Sequence, residues 1–480
     1  MSEATLSPLS ASARAGVLTY LAISALVFVL MMALGLLMRI GQADWLWMPP
    51  DIFYQVMTAH GAGMVGISGL AGSAVMWYFL RRYVDLTVGI LWTNLALFLL
   101  GVVLILGGIF LGGFGGAWTF LFPLPSHGMG AWSNVGAACY LLGLMSIGVG
   151  FLLLYLDVAR AIIGKYGSLA KGLGWPHLFG RGEGEPPPPT VVASTMVLII
   201  NTAGITAGAV VLVLILVNLF VPTFAVDALL TKNLTYFFGH VFINATIYQA
   251  VIAVYEILPT YTKRAWPSSR VFLAAWTAST IMVMSVYPHH LLMDFVMPTW
   301  ALILGQVISY MSGIPILIVT AYNALTNVYR SGMRWDIVSG LLFLSIFGWG
   351  VGIIPAIIDA TIAVNNVMHN TMWVPGHVHT YLIVGLVAML FGFMYHVAGQ
   401  NGTTKMIDKV AFWVYAAAGM AFSFMFLLSG YVSIPRRFAE HFPEWVEYSA
   451  TSSIFAVLVV LAAAVFAVRF LTSLKTARMA

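Results

Sequence analysis

Charge is scarce in this chain. Of its 480 residues only 8% are Asp, Glu, Lys or Arg, while 61% are hydrophobic; a water-soluble domain carries roughly 25% charge. An ordinary soluble enzyme is therefore excluded. Cysteine is nearly absent: Cys139 stands alone. A single thiol forms no internal disulfide and builds no thiolate-rich copper or iron–sulfur site, so Cys139 reads as a small core residue. There is no CxxCH for a covalently attached c-type heme and no cysteine pair for a dinuclear copper centre. Alternating apolar and polar strands are missing too. The apolar runs are continuous, which argues against a β-barrel. No short-period repeat and no separate soluble domain stand out. The net charge of +5 sits between the apolar runs and does not point to nucleic acid. The opening MSEATLSPLSASARAG lacks the charged start and cleavage site of a signal peptide, so the first span is expected to stay in the mature protein.

What is present is a series of long apolar stretches. The chain reads as one all-α, polytopic membrane domain over residues 1–480. Twelve spans, each long enough for a ~30 Å core, are expected near 15–40, 52–80, 87–113, 129–156, 191–220, 229–258, 270–295, 299–326, 335–363, 370–397, 408–432 and 448–474. Twelve spans put both termini on one side. With the termini cytoplasmic, only Arg39, Lys232, Arg436 and Arg437 of the 21 Lys and Arg fall outside. The positive-inside rule favours that orientation strongly, and the four exceptions need a reason. The longest polar loop, about 160–189, is then cytoplasmic. It closes on EGEPPPP, a stiff polyproline spacer. The run GAGMVGISGLAG at 61–72 offers close helix packing, or room for a flat cofactor.

Histidine carries the functional signal. Intramembrane ionisable residues are functional candidates by default. His60 sits in the second span, His240 in the sixth, His289 and His290 at the end of the seventh, and His377 and His379 in the tenth. Under the derived topology all six lie in the outer half of the bilayer, roughly 10–18 Å along the spans that enter from outside. Two residues on a helix turn through about 200°. His377 and His379 therefore leave opposite sides, so that one helix could ligate two different metal centres, one on each flank.

GHVFIN, PHHLLMDF, WVPGHVH and SIPRRF, in this order on twelve spans, resemble subunit I of the heme–copper oxidase superfamily, and MHNTMWVPGHVH is similar to its B-type members. The resemblance implies that His60 and His379 are axial ligands of a low-spin heme and His377 the proximal ligand of a high-spin heme. It implies that His240, His289 and His290 hold a second metal. Three neutral imidazoles suit copper; an added carboxylate would favour iron, which stays open. Asp294, the nearest acid in sequence, reads as a helix-end or propionate-side residue. Arg436 and Arg437 match the arginine pair that binds heme propionates, with His369 and Trp373 flanking the same site. B-type oxidases carry an aspartate four residues before that histidine; this chain has Asn365.

One departure bears on the reaction. The oxidases place a redox-active tyrosine four residues after the first copper histidine, and here that residue is Asn244. The C-type alternative, a tyrosine at the start of span seven, is missing from Pro267–Trp276, although Tyr261 lies in the preceding loop. Tyr248 and Tyr255 share a face with His240, but eight residues is about 12 Å, too far for a His–Tyr linkage. Coupling two NO to N2O needs no tyrosine radical. The expected activity is therefore nitric oxide reduction, with a B-type-like cytochrome c oxidase reducing O2 as the alternative. Glu256, Tyr255 and Tyr248 form an expected proton route from inside. Electrons require a partner, by resemblance a cupredoxin-type subunit II fed by a c-type cytochrome, hence a heterodimer or larger in a bacterial or archaeal cytoplasmic membrane. A non-catalytic transporter also has many spans. It has no need of six depth-matched histidines.

Overall fold

Only a backbone that satisfies its own hydrogen bonds crosses a bilayer, so each apolar run must become a helix. The computed structural model describes residues 9–294 and 296–474. Among these, twelve helices are long and apolar enough to span: α1 (Ala11–Gln42), α2 (Pro50–Leu80), α3 (Val88–Leu111), α4 (Asn134–Tyr166), α5 (Pro189–Phe220), α6 (Ala228–Thr262), α7 (Arg270–Leu291), α8 (Thr299–Val328), α9 (Ile337–Asp359), α10 (Trp373–Val397), α11 (Met406–Tyr431) and α12 (Pro443–Ser473). The expected all-α, twelve-span architecture holds. The chain ends that bear on the termini, Lys475 and Arg478 included, lie outside the described residues.

Three helices form the inside of the bundle. In α2, α6 and α10 the most apolar stretch is 83, 83 and 78% buried, against 44% or less in every other span. These are the helices that carry His60, His240, His377 and His379. The remaining spans form the jacket: α1 packs on α2 and α12, α3 on α4, α5 on α6, and α9 on α10. The glycine run on α2 resolves mainly as packing. A Cβ at Gly63 would run into the Met31 sulfur, and one at Gly72 would meet Gln249 at 2.8 Å.

Several spans differ from the continuous helices expected of them, each with a local cause. In α7 the α-helix stops at Ser285, and a 3₁₀ turn, Tyr287–Leu291, follows. Pro288 lacks the N–H that would continue the ladder. In α8 the helix breaks between Ser312 and Ile314, at Gly313 and ahead of Pro315. In α10 the segment Trp373–His379 passes into a π-helical stretch, Thr380–Val387. Such widened turns concentrate at functional sites. The ninth span ends at Asp359 and a short helix, Ile362–Met368, follows. The proline run ends as a helix start, with Pro188 extended and Pro189 in the first turn of α5, where a missing N–H costs nothing.

Candidate metal centre

The 3₁₀ turn that ends α7 presses two adjacent imidazoles against α6. Ring centroids of His240 and His289 lie 4.9 Å apart, those of His240 and His290 5.7 Å, and those of His289 and His290 4.1 Å. Donor atoms of all three fall within 4.8 Å of one another. His289 Nε2 and His290 Nε2 are 3.0 Å apart. Two ligands at about 2.0–2.1 Å from one ion adopt that spacing near a right angle. The other nitrogen of His289, Nδ1, contacts Ser309 Oγ at 2.8 Å, the kind of outer contact that fixes a ligand's tautomer. Among the described residues no carboxylate joins this group. Asp294 instead pairs with Lys232 at 2.7 Å and accepts from the Val296 N–H. The Lys232 hydrogen bond holds its carboxyl below the usual range. That pair accounts for one of the four outer cations.

His60 and His379 meet across the bundle with parallel rings. Their centroids are 6.3 Å apart and their planes differ by 9°. His60 Nδ1 lies 2.7 Å from the Met31 carbonyl and His379 Nδ1 2.7 Å from the Pro375 carbonyl. A carbonyl only accepts, so each Nδ1 carries the proton and each Nε2 is left as a donor to a metal. Gly35 makes room on α1: a Cβ there would sit 2.7 Å from the His60 ring. Two residues from His379, His377 edges onto Tyr381 at 6.0 Å, and its buried Nδ1 has no partner among the described residues. One cavity of about 480 Å³ is walled by His60, His379, His377 and the three clustered histidines.

The outer wall of that cavity is cationic. The arginine loop is pinned by a single antiparallel bridge between Thr371 and Pro435, and Arg436 N–H donates to the Asn370 carbonyl. Arg436 Nη2 donates to Asn370 Oδ1 at 3.3 Å and Arg437 Nη2 to Thr119 Oγ1 at 2.7 Å. Neither forms an ion pair among the described residues. Burial, with Arg437 next, pushes the Arg436 guanidinium down to about 10. Burial, with Arg436 next, pushes the His369 imidazole down to about 3. Buried cations with spare donors fit carboxylates entering from a bound group. The donor sets therefore suit two porphyrins with propionates at this wall and one further ion.

The family model for Cytochrome C and Quinol oxidase polypeptide I matches residues 16–465. The chain belongs to this family. It is 23% identical over 435 residues to the Halobacterium salinarum protein named cytochrome c oxidase polypeptide 1, covering 85% of this chain and 69% of that one. It is 24% identical over 256 residues to cytochrome c oxidase subunit 1 of Thermus thermophilus, covering 48% of this chain and 45% of that one. A solved heme-copper terminal oxidase, described as a dimer, superposes with a TM-score of 0.82 at 20% identity, over 98% of this chain and 85% of that one. The fold is thus that of a heme–copper oxidase subunit I, an oxidoreductase family.

Within this subunit I fold the structure brings together all six histidines, His369, Arg436 and Arg437. It leaves three sequence-derived residues, Trp373, Tyr255 and Glu256, off the cavity wall. Trp373 was expected beside a cofactor. Its indole donates instead to the Pro355 carbonyl at 3.0 Å, and it is not part of the cavity wall. Glu256 was expected to lead into Tyr255. The two point apart, as neighbours 100° apart on a helix must. Glu256 binds Arg82 at 3.2 Å, Tyr83 Oη at 2.9 Å and the Thr190 hydroxyl, whereas Tyr255 Oη bonds Thr320 Oγ1 at 2.8 Å on α8. Tyr248 does reach the cavity wall, edge-on to Trp276. Asn244 lies beside the metal cluster, its Nδ2 3.1 Å from His240 Nδ1 and 2.8 Å from the His240 carbonyl. Asn365 turns away and donates to the Asp359 carbonyl.

Sequence reasoning missed three residues. Tyr236 stacks on His290 at 5.2 Å and 15°; its spacing of one turn before His240 was the available signal. Asp359 lines the cavity with one buried oxygen unpaired, but at a span end it reads as an ordinary interfacial acid. Arg39, an unexplained outer cation, proves buried on α1. It donates to Ser452, Gln42 and Ser449 and lies 4.9 Å over the Phe426 ring, beside the His379 pocket.

Proposed function

We propose that this chain is the catalytic subunit of a membrane nitric oxide reductase, converting two NO, two electrons and two protons to N2O and water. The observation that carries the reading is residue 244. Where the oxidases it resembles hold a tyrosine able to supply an electron and a proton, this chain presents an amide. An amide donates and accepts hydrogen bonds but gives no electron at accessible potentials. Reduction of NO to N2O asks each site for one electron per NO and no radical from the protein.

The two hemes and the copper implied by the family would supply electron storage and paired binding places for the substrate nitrogens. The chain's own residues do the rest. His60 and His379, each fixed by its Nδ1 contact to a backbone carbonyl, would hold the low-spin heme. His377 would hold the high-spin heme. His240, His289 and His290 would hold copper, whose affinity for neutral imidazole without carboxylate fits the donor set better than iron. Asn244 offers its amide to bound NO while bracing His240. Arg436, Arg437 and His369 hold the propionate side. Tyr255, Thr320 and Tyr248 form a proton approach from the inner face. Electrons enter from a cupredoxin-type subunit II and a c-type cytochrome at the outer face.

A second reading, reduction of O2 by four electrons and four protons to two water molecules, is favoured by two observations. The curated relatives are named cytochrome c oxidases, and Tyr236 lies against His290. The relatives' names support this second reading better than NO reduction; NO is kept first on residue 244 alone. Purified enzyme with a reduced donor, assayed in parallel for NO and O2 consumption, separates the two. NO turnover well above O2 turnover is expected. Robust O2 turnover with little NO turnover reverses the order.

A further inference from the structure

The polar loop between α4 and α5 carries two large aromatic side chains that a purely aqueous loop does not need. Trp175 is 39% and Phe179 66% exposed, and their rings meet edge-on at 6.5 Å. The Trp175 indole donates to Thr277 Oγ1 at 3.1 Å. Thr277 lies seven residues into α7 from Arg270, about 10 Å along the span. The loop therefore reaches down beside α7 past its charged inner end. Exposed tryptophan at that level belongs to the boundary between membrane and water. On α7 itself Val271 and Ala274, one turn apart, are exposed as well.

Where the loop meets the start of α7 there is a pocket of about 230 Å³. His177, Gly180 and Gly182 line it from the loop, and Ser268 and Arg270 from the approach to α7. The backbone closes tightly around these side chains. A Cβ at Gly182 would run into the His177 ring. One at Gly180, where φ is +72°, would sit 3.6 Å from Arg270 Nη2. Ser268 Oγ donates to the Pro187 carbonyl at 2.8 Å, which ties the proline run to the opposite wall. Among the described residues Arg270 forms no ion pair. Glu183 and Glu185 are close in sequence, yet neither lines the pocket. A guanidinium without a counter-ion and an imidazole thus share one space that no acid enters.

Guanidinium is matched in shape and charge to phosphate oxygens. Basic pockets between spans on the cytoplasmic side suit anionic lipid head groups. A soluble anion would have no use for the exposed aromatic pair on the same loop; a lipid would use both. We propose that this pocket holds the phosphate of an anionic phospholipid of the inner leaflet, with Arg270 and His177 as its donors and the acyl chains running past Trp175 and Phe179. The lipid ties the loop between α4 and α5 to α7. The proposal is independent of whether NO or O2 is the substrate.

Native mass spectrometry of the purified holoenzyme, titrated with phosphatidylglycerol, tests it. Arg270→Gln is expected to weaken binding about fivefold, the worth of one cation near an anionic surface. Lys409→Gln removes an exposed inner-face cation that is not part of the pocket and is expected to leave binding unchanged. Gly182→Ala keeps every charge, crowds His177 and is expected to weaken binding too. Heme spectra equal to wild type show that each variant is folded. Phosphatidylcholine is expected to bind the wild type more weakly than phosphatidylglycerol does. Equal binding of phosphatidylglycerol by Arg270→Gln and Lys409→Gln, with Gly182→Ala like wild type, overturns the proposal. Displacement of phosphatidylglycerol by equimolar inorganic phosphate also overturns it, and assigns the pocket to a soluble anion.

Discussion

His60 and His379, more than 300 residues apart in the chain, face each other with ring planes 9° apart and centroids at 6.3 Å. Two imidazoles bound to opposite faces of one iron, each at about 2.0–2.1 Å, hold their centroids about 6 Å apart. The outward nitrogens are already spent on the Met31 and Pro375 carbonyls. That is the arrangement two axial ligands of one iron would need. Replacing either ring, His60→Ala or His379→Ala, is expected to abolish the low-spin heme absorbance and leave the other heme in place. Pyridine hemochrome content per chain, falling by about half, checks it.

Ser309 contacts His289 Nδ1 from the broken helix α8. Outer contacts of this kind change metal affinity by about 10–100-fold when removed. Ser309→Ala is expected to lower occupancy of the non-heme metal under limiting supply, with both hemes retained. Metal analysis after dialysis against a chelator reads the difference.

Asn244 braces His240 and faces the same cavity. Asn244→Leu keeps the volume and removes the amide. NO turnover is expected to fall roughly tenfold, about 1.4 kcal/mol of barrier, with metal and heme content unchanged. Steady-state NO consumption with an electrode gives the number. An unaffected rate removes the amide from the reaction.

His441 sits in the outer loop before α12, its Nδ1 2.8 Å from Ser449 Oγ. Burial, with Arg39 next, lowers its imidazole to about 4. The folded protein therefore holds this ring neutral where an unfolded chain, with an ordinary histidine near 6.5, takes up a proton. Its contribution to stability is complete above about pH 6.5 and is lost as pH falls toward 4. Thermal unfolding midpoints are expected to drop over that window, and His441→Gln is expected to flatten the drop. An equal slope in wild type and variant assigns the loss to other groups.

The membrane class, the twelve spans and the six-histidine set were legible because each leaves a local mark: a long apolar run, or an imidazole where lipid-facing chemistry has no use for one. Inner and outer helices were harder to tell apart. Here α2, α6 and α10 are among the least apolar spans, a weak mark that α7 and α11 share without being central. Helix breaks at Pro288 and Gly313 were readable in principle, since proline and glycine announce them. The π-helical stretch after His379 was not, because no residue type demands it. Glu256 and Tyr255 were joined in one route because they are adjacent in sequence. Rotation along α6 separates them, and only their partners, Arg82 on one side and Thr320 on the other, reveal it. Arg39 and Asp359 were hidden for a related reason: charges near span ends look interfacial until the third dimension buries them.

The claim on which the rest depends is that six imidazoles hold two porphyrins and one further ion in a single cavity. Hemochrome spectra combined with metal analysis of the purified complex, counted per copy of this chain, test it most directly. Two non-covalent hemes and one copper for each chain are predicted. A preparation with full NO or O2 turnover but fewer than two hemes, or with no non-heme metal, contradicts it.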